Sequence, residues 1–370
     1  MRAFFEPIGT IDGLREAIAA AQASGAKSVQ VLGTVASGWT PELIDPLLTS
    51  IEVPVFGGLF PGLIFEGRTH ERGTVVIGHD GAAKVAVLEC ESEVPDPEGW
   101  RPVLLGARTL FTYFCVSPLA GSVMAALFRE LGVNTCWVGG GAGSLDLVCR
   151  PVVITPGGLR SRVVVVAGLE ETATLGVTHG WHPIGEALLV TEAEGNDILT
   201  LEWRPAYEVY REVVEAHTGR RFDDTNFYTL ASTYPLMLER IGGEGVVRDP
   251  LTALPGGGLR CAGDVQPYAT IRVAHGRFED LLAAAHAARA QVTAAAQEAR
   301  GGAVLTIDCI SRALLLGERL AQELEALRIP GRVQAGALTI GEVASSGDRF
   351  PQVHNKTTVL ATLKPPGSPP

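Results

Sequence analysis

The chain has 370 residues, 46% hydrophobic and 19% charged, so it is long enough for about two domains and can bury a large core. A formal net charge of -11, a pI of about 5.3 and no run of Lys or Arg argue against nucleic acid or an anionic membrane surface as partner. The opening MRAFFEPIGT lacks the basic and apolar regions of a signal peptide, and apolar runs such as 163–169 are too short to span a bilayer, which predicts a cytoplasmic protein.

The first elements are an Ala-rich helix at 14–23 and a strand at 28–32, then a helix opened by Thr40-Pro41 and running to 48. VPVFGGLFPG supplies a strand at 53–56 with turns at Gly57-Gly58 and Pro61-Gly62; 73–79, 84–90 and 108–116 read as strands. Ser117-Pro118 begins a helix that stops at Gly132 and feeds a strand at 135–138 and the loop GGGAGS. The strand ends PVFGG and WVGGG each follow a capped helix, so a duplicated β-unit is expected. GGGAGS has no lysine and fits neither GxxxxGK[ST] nor GxGxxG, which argues against a phosphate loop. Glycines here let two backbones, or a backbone and a ligand, approach closely. Gly57, Gly58, Gly140 and Gly141 are therefore candidate ligand-facing positions.

Further strands are expected at 163–167, 173–177 and 187–193. Between the last two, His179 and His182 are separated by Gly-Trp and followed by Pro183, a poor setting for a helical metal pair. A turn at Gly195-Asn196, a strand at 198–201 and an amphipathic helix after Arg204-Pro205 mark a domain boundary near 202–205. Strands at 229–238, 245–248, 259–263 and 270–275 precede a long Ala-rich helix at 278–299. A buried strand from 303 then ends at Asp308-Cys309, with Ser311 placed to cap a helix at 312–327. A helix N-terminus and Arg312 both favour a Cys309 thiolate, with Asp308 opposing, so Cys309 is expected to be the most reactive of the six cysteines. Its bland alternative is a core thiol that packs like alanine. No CxxC pair occurs, as in reduced core thiols.

The last segment holds two apolar runs, 337–340 and 357–363, read as a hairpin-like pair. Gly341-Glu342 closes the first and His354-Asn355 opens the second, bringing a carboxylate, an imidazole and an amide to one sheet end. The polar cluster either ties the loop to itself or lines a small-molecule pocket. The consecutive strands at 73–116 and 163–201 point to an α+β fold of two halves, with mixed, largely antiparallel sheets covered by helices.

Seven motifs, in order, resemble the FIST domain proteins: VPVFGGLFPG, WVGGGAGSL, GVTHGWHPIGEALLVTEAEGNDILTLEWRPAYEVY, DVQPYATIRVAH, DCISRALLLGERLA, GALTIGEV and HNKTTVLATL. The resemblance implies a FIST N-terminal domain at 25–203, a FIST C-terminal domain at 204–363 and a disordered Pro-rich tail at 364–370. It implies an intracellular sensor of small, amino-acid-like ligands that signals through a separate partner such as a histidine kinase or a cyclic-dinucleotide enzyme. Alternatives are a haem-binding nitric-oxide sensor and an enzyme using Cys309. The family's motifs match Cys309 and Arg312, Gly341-Glu342, and His354, Asn355 and Thr357. Ile310 and Ser311 replace the usual smaller pair beside the cysteine and narrow the space there.

Overall fold

Ser28–Thr34, Thr74–His79, Thr109–Cys115 and Val163–Leu169 are rich in Val, Thr, Ile and Leu and buried along their whole length. Strands covered on both faces carry such near-continuous apolar runs, and these form the centres of layered sheets. The computed structural model describes residues 1–90, 100–115, 120–132, 134–223, 225–240, 244–297, 302–346 and 350–364. It is an α+β arrangement of mixed sheets and helices, as the sequence predicts. Among the described residues no helix is long and apolar enough to cross a membrane.

Three six-stranded sheets share one plan. The first runs Arg2–Glu6, Thr74–His79, Ser28–Thr34, Val55–Phe60, Val153–Thr155, Gly158–Arg160. The second runs Lys84–Glu89, Val163–Leu169, Thr109–Cys115, Cys136–Ala142, Glu342–Ser345, Gln352–His354. The third runs Thr172–Thr178, Thr358–Lys364, Ala303–Cys309, Val333–Thr339, Gly62–Phe65, Arg68–His70. In each, only the central pair is parallel. A helical crossover joins that pair: Pro41–Leu48, Ala120–Leu131, or Ile310–Leu316 with Leu320–Leu327. The outer hairpin of each sheet comes from a different unit, so the three exchange hairpins in a cycle. The expected duplication is thus a triplication, and inner faces of all three sheets meet in one core around Val31, Phe111 and Ile307.

The parallel pairs carry the same sequence device. Gly57 lies opposite Val31, Gly139 opposite Thr112 and Gly336 opposite Thr306. A Cβ on these glycines would sit 1.9, 2.0 and 1.7 Å from the facing carbonyl oxygen. Glycine is required because backbone fills the place of a side chain.

The third unit carries an insertion. Between Thr172–Thr178 and helix Phe278–Gln297, a fourth sheet closes into a ring because His182–Glu194 pairs with both Thr270–His275 and Asp197–Leu201. Leu236–Leu238, Val246–Ala253 and Leu259–Ala262 complete the ring, and helix Ala206–Thr218 packs its Val209, Tyr210 and Val214 against it.

Strands from both sides of 202–205 share the second and third sheets, and Thr172–Thr178 pairs along its length with Thr358–Lys364. Several expectations need correction. The two runs of the last segment are not paired with each other, since Ala303–Cys309 lies between them. Residues 229–238 begin as helix Phe227–Ala231 and only end as a strand. The helix expected at 312–327 starts at Ile310 with Cys309 as its N-cap, so Ser311 caps nothing, and a 3-10 turn at Gly317–Arg319 breaks it. Lys364, assigned to the tail, ends a strand; 365–370 lie outside the described residues, as does the cap at Ser117-Pro118.

Candidate functional site

The ring and the three-unit body enclose a cleft of about 1000 Å³. Val246 and Leu251 line it from the ring, Met124 and Leu147 from the second unit, and Leu314 and Val353 from the third. Against these apolar walls stand Cys309, Ser311, Asn355 and Asp249. Apolar walls with a few convergent polar groups are the usual make-up of a small-molecule site.

Cys309 ends a central strand where a helix begins, and its thiol sits 3.2 Å from the Ser311 hydroxyl. Glu342 starts the strand after the tight turn Ile340-Gly341. Its carboxylate accepts from Thr339 Oγ1 at 2.9 Å and Thr357 N at 3.4 Å, and also from the Cys309 thiol. Burial pushes Glu342 up to about 8, and burial followed by the Glu342 charge pushes Cys309 up to about 12. Both shifts run against the expected stabilised thiolate. Glu342 is wholly buried and does not line the cleft; it meets the cleft only through Cys309.

The groups that oppose the rise at Cys309 are chiefly the Ser311 hydroxyl and Lys356, while Arg312 makes its hydrogen bonds elsewhere. Fully buried, it donates to Glu323 through Nε at 2.7 Å, to the Leu281 carbonyl at 2.9 Å, and to the carbonyls of His179 and Lys356. It ties the crossover helices to helix Phe278–Gln297 and makes no part of the cleft lining. Arg312, a ligand-binding candidate from the family motif, makes its hydrogen bonds to protein groups.

Gly341 and Asn355 do reach the cleft. Asn355 is 5% exposed, and its Oδ1 has no hydrogen-bond donor among the described residues. Gly341, at φ 86, makes the turn that Gly140 and Gly141 support. A Cβ on those two would lie 2.6 Å from the Gly341 oxygen and 2.1 Å from the Ile340 oxygen, so they are close-approach glycines rather than ligand contacts. Gly57 and Gly58 serve the first sheet and are also absent from the lining. His354 opens instead on a smaller cavity of about 250 Å³ with His179 and Thr357. His179 Nδ1 accepts from Trp181 N at 2.9 Å, and among the described residues no three acidic, His or Cys side chains gather as metal ligands.

Sequence reading missed the groups supplied by the ring. Asp249, 1% exposed, lies 3.2 Å from Lys356 Nζ, itself wholly buried. Neither Asp249 oxygen has a well-directed hydrogen bond, although Lys356 and Ser311 are its polar neighbours. Burial raises its pKa, with Lys356 opposing. Arg248 next to it fastens ring to body by donating to the Asp264 carbonyl at 2.9 Å and the Val353 carbonyl at 2.9 Å. The signal was an Arg-Asp pair inside the apolar strand sequence VVRDPL, where charges need a buried reason.

The repeat shows which positions the third unit has specialised. By register, Glu342 corresponds to Leu63 and Val153, and Cys309 to Thr34 and Cys115. A carboxyl replaces an aliphatic side chain only in the unit that carries the ring. Fold and cleft together define an α+β protein with a cleft between a repeated body and an inserted ring.

Models of the FIST N domain and the FIST C domain match residues 27–204 and 206–345, so the chain belongs to the FIST family. FIST domains are small-ligand-binding sensory domains of signal transduction. The search of curated proteins returns no match.

Proposed function

We propose that this chain is an intracellular sensor whose cleft binds a small amino-acid-like metabolite, and that it signals through a separate partner such as a histidine kinase or a cyclic-dinucleotide enzyme. One observation carries the ligand class: Asn355 Oδ1 is a buried acceptor on the cleft with no donor among the described residues, and the same cleft carries Asp249, whose carboxylate is paired with Lys356 at 3.2 Å. Unsatisfied buried acceptors are costly, and a ligand ammonium or amide would satisfy them. The apolar walls then take the rest of the molecule. Cys309 lines the cleft as a thiol that burial pushes up, with Glu342 behind it, a poor arrangement for a nucleophile and base, so the reading is of binding without turnover.

The test is native mass spectrometry of the protein from its own source, with release of any bound molecule, followed by a thermal-shift screen of amino acids. An amine-bearing ligand whose binding falls at least ~10-fold in Asp249→Asn is expected, as for loss of a charge-assisted hydrogen bond. A ligand without a donor group, or unchanged binding by the variant, overturns the reading.

The haem alternative has less support. Among the described residues no histidine lines the larger cleft, which leaves Cys309, Cys261 and Tyr228 as its axial candidates. A Soret band in the purified protein would reinstate it.

A further inference from the structure

We propose that Cys115 and Cys149 are a redox-active dithiol whose disulfide pins one wall of the cleft. Cys115 ends the strand Thr109–Cys115 and is 1% exposed, whereas Cys149 is exposed on the segment beyond Ala142. Their sulfurs lie 3.1 Å apart, inside the contact distance of two non-bonded sulfur atoms. A disulfide needs about 2.0 Å, so closure asks for a movement of only about 1 Å.

The segment bearing Cys149 is held chiefly by itself. Asp146 accepts from Ser144 Oγ at 2.6 Å, Val148 N at 3.2 Å and Arg150 Nη1 at 2.8 Å. Among the described residues, the hydrogen bonds of 144–148 stay within 144–150. Leu145 and Leu147 of this segment line the cleft while remaining 57% and 45% exposed. A covalent bond from Cys149 to the buried strand end would join this wall to the second sheet. Local tethering, an exposed thiol and a buried thiol at contact distance are the parts of an attacking and resolving cysteine pair.

With hydrogen peroxide as oxidant the chemistry closes without another group. The Cys149 thiolate attacks a peroxide oxygen, the O–O bond breaks, and a sulfenic acid forms; the departing hydroxide takes up the Cys149 proton as water. The Cys115 sulfur then attacks the sulfenic sulfur. The S–S bond forms, the S–O bond breaks, and hydroxide leaves with the Cys115 proton as a second water. Two thiols have lost two electrons and two protons, and one peroxide has become two waters. Burial holds Cys115 up to about 11, so the second step is the slower one.

Disulfide formation is independent of the sensor reading; only its effect on ligand affinity rests on that reading. The experiment treats the full chain with one equivalent of hydrogen peroxide, blocks free thiols under denaturing conditions, maps the peptides, and follows hydrogen exchange at 144–150. A Cys115–Cys149 peptide that dithiothreitol reverses is expected. Exchange in the segment should slow by about tenfold or more, as a cross-link suppresses local opening. Cys149→Ser, at an exposed position, should fold, give no such peptide and show no change in exchange. Cys149 over-oxidised beside an unmodified Cys115, or a cross-link between other cysteines, overturns the dithiol. The expected cross-link with unchanged exchange overturns the pinning. No ligand enters this measurement, so a failed amino-acid screen and a failed cross-link are separate results.

Discussion

At Cys309 two effects of opposite sign meet. A helix N-terminus favours the thiolate, while exclusion of water and the Glu342 carboxyl favour the thiol. Burial wins because loss of water around the thiol is the largest effect there and outweighs the opposing Ser311 hydroxyl and Lys356 charge. Iodoacetamide at neutral pH should therefore modify exposed Cys149 first and leave Cys309 intact in the folded protein, as peptide mapping would show. Early loss of Cys309 would mean that the cleft is wetter than its 3% exposure allows. Glu342 makes a second prediction. Its pKa rises from 4.5 to about 8 in the fold, so the native state binds the extra proton between those values and stability declines as pH rises through that window. Glu342→Gln keeps the shape without the titration. Relative to wild type, the variant should gain on the order of 4 kcal/mol between pH 5 and pH 9, measured by denaturant unfolding. A difference that does not change with pH would show that Glu342 is not the titrating group.

Among the elements, the parallel strand pairs depend on a glycine at one register position. Gly139→Ala and Gly336→Ala each drive a methyl into a carbonyl oxygen that the neighbouring strand cannot move without breaking its ladder. Each should cost about 3 kcal/mol or more in unfolding experiments. Gly336→Ala is the cleaner test because strain there is steric alone, whereas Gly139 also has φ 148. If both variants melt like the wild type, the strand pairs are looser than this packing implies. The element most misread from sequence was the C-terminal hairpin. Its two runs have the composition of neighbours, yet Ala303–Cys309 takes the place between them. All three strands are of similar apolar character, and local composition does not distinguish which two are neighbours.

For the whole molecule, hairpin exchange makes the three units depend on one another. Removing residues after 345, where the FIST C match ends, deletes Gln352–His354 and Thr358–Lys364 and exposes edges in the second and third sheets. A fragment covering 206–364 should fail to fold alone, since it lacks Thr172–Thr178, Gly62–Phe65 and Cys136–Ala142, the strands that its own strands pair with. Circular dichroism and exchange spectra of the fragment would check this; a cooperative transition resembling part of the full chain's would refute the interdependence.

Strand runs such as Thr270–His275, helix Pro41–Leu48 and the α+β class were set by the sequence itself, because hydrophobic period and capping residues act over a few neighbouring positions. The glycines at 57 and 139 and the motif order were equally local, and they carried the family. Which strands pair, which of those glycines face backbone, and which ionisable groups share the cleft were decided only in three dimensions. Glu342 meets Cys309 across a turn and a sheet, Asp249 reaches Lys356 from an insertion more than a hundred residues earlier in the chain, and Cys115 finds Cys149 without a CxxC motif. Desolvation at such meetings depends on what covers a group from every side, and that quantity has no representation along a single chain.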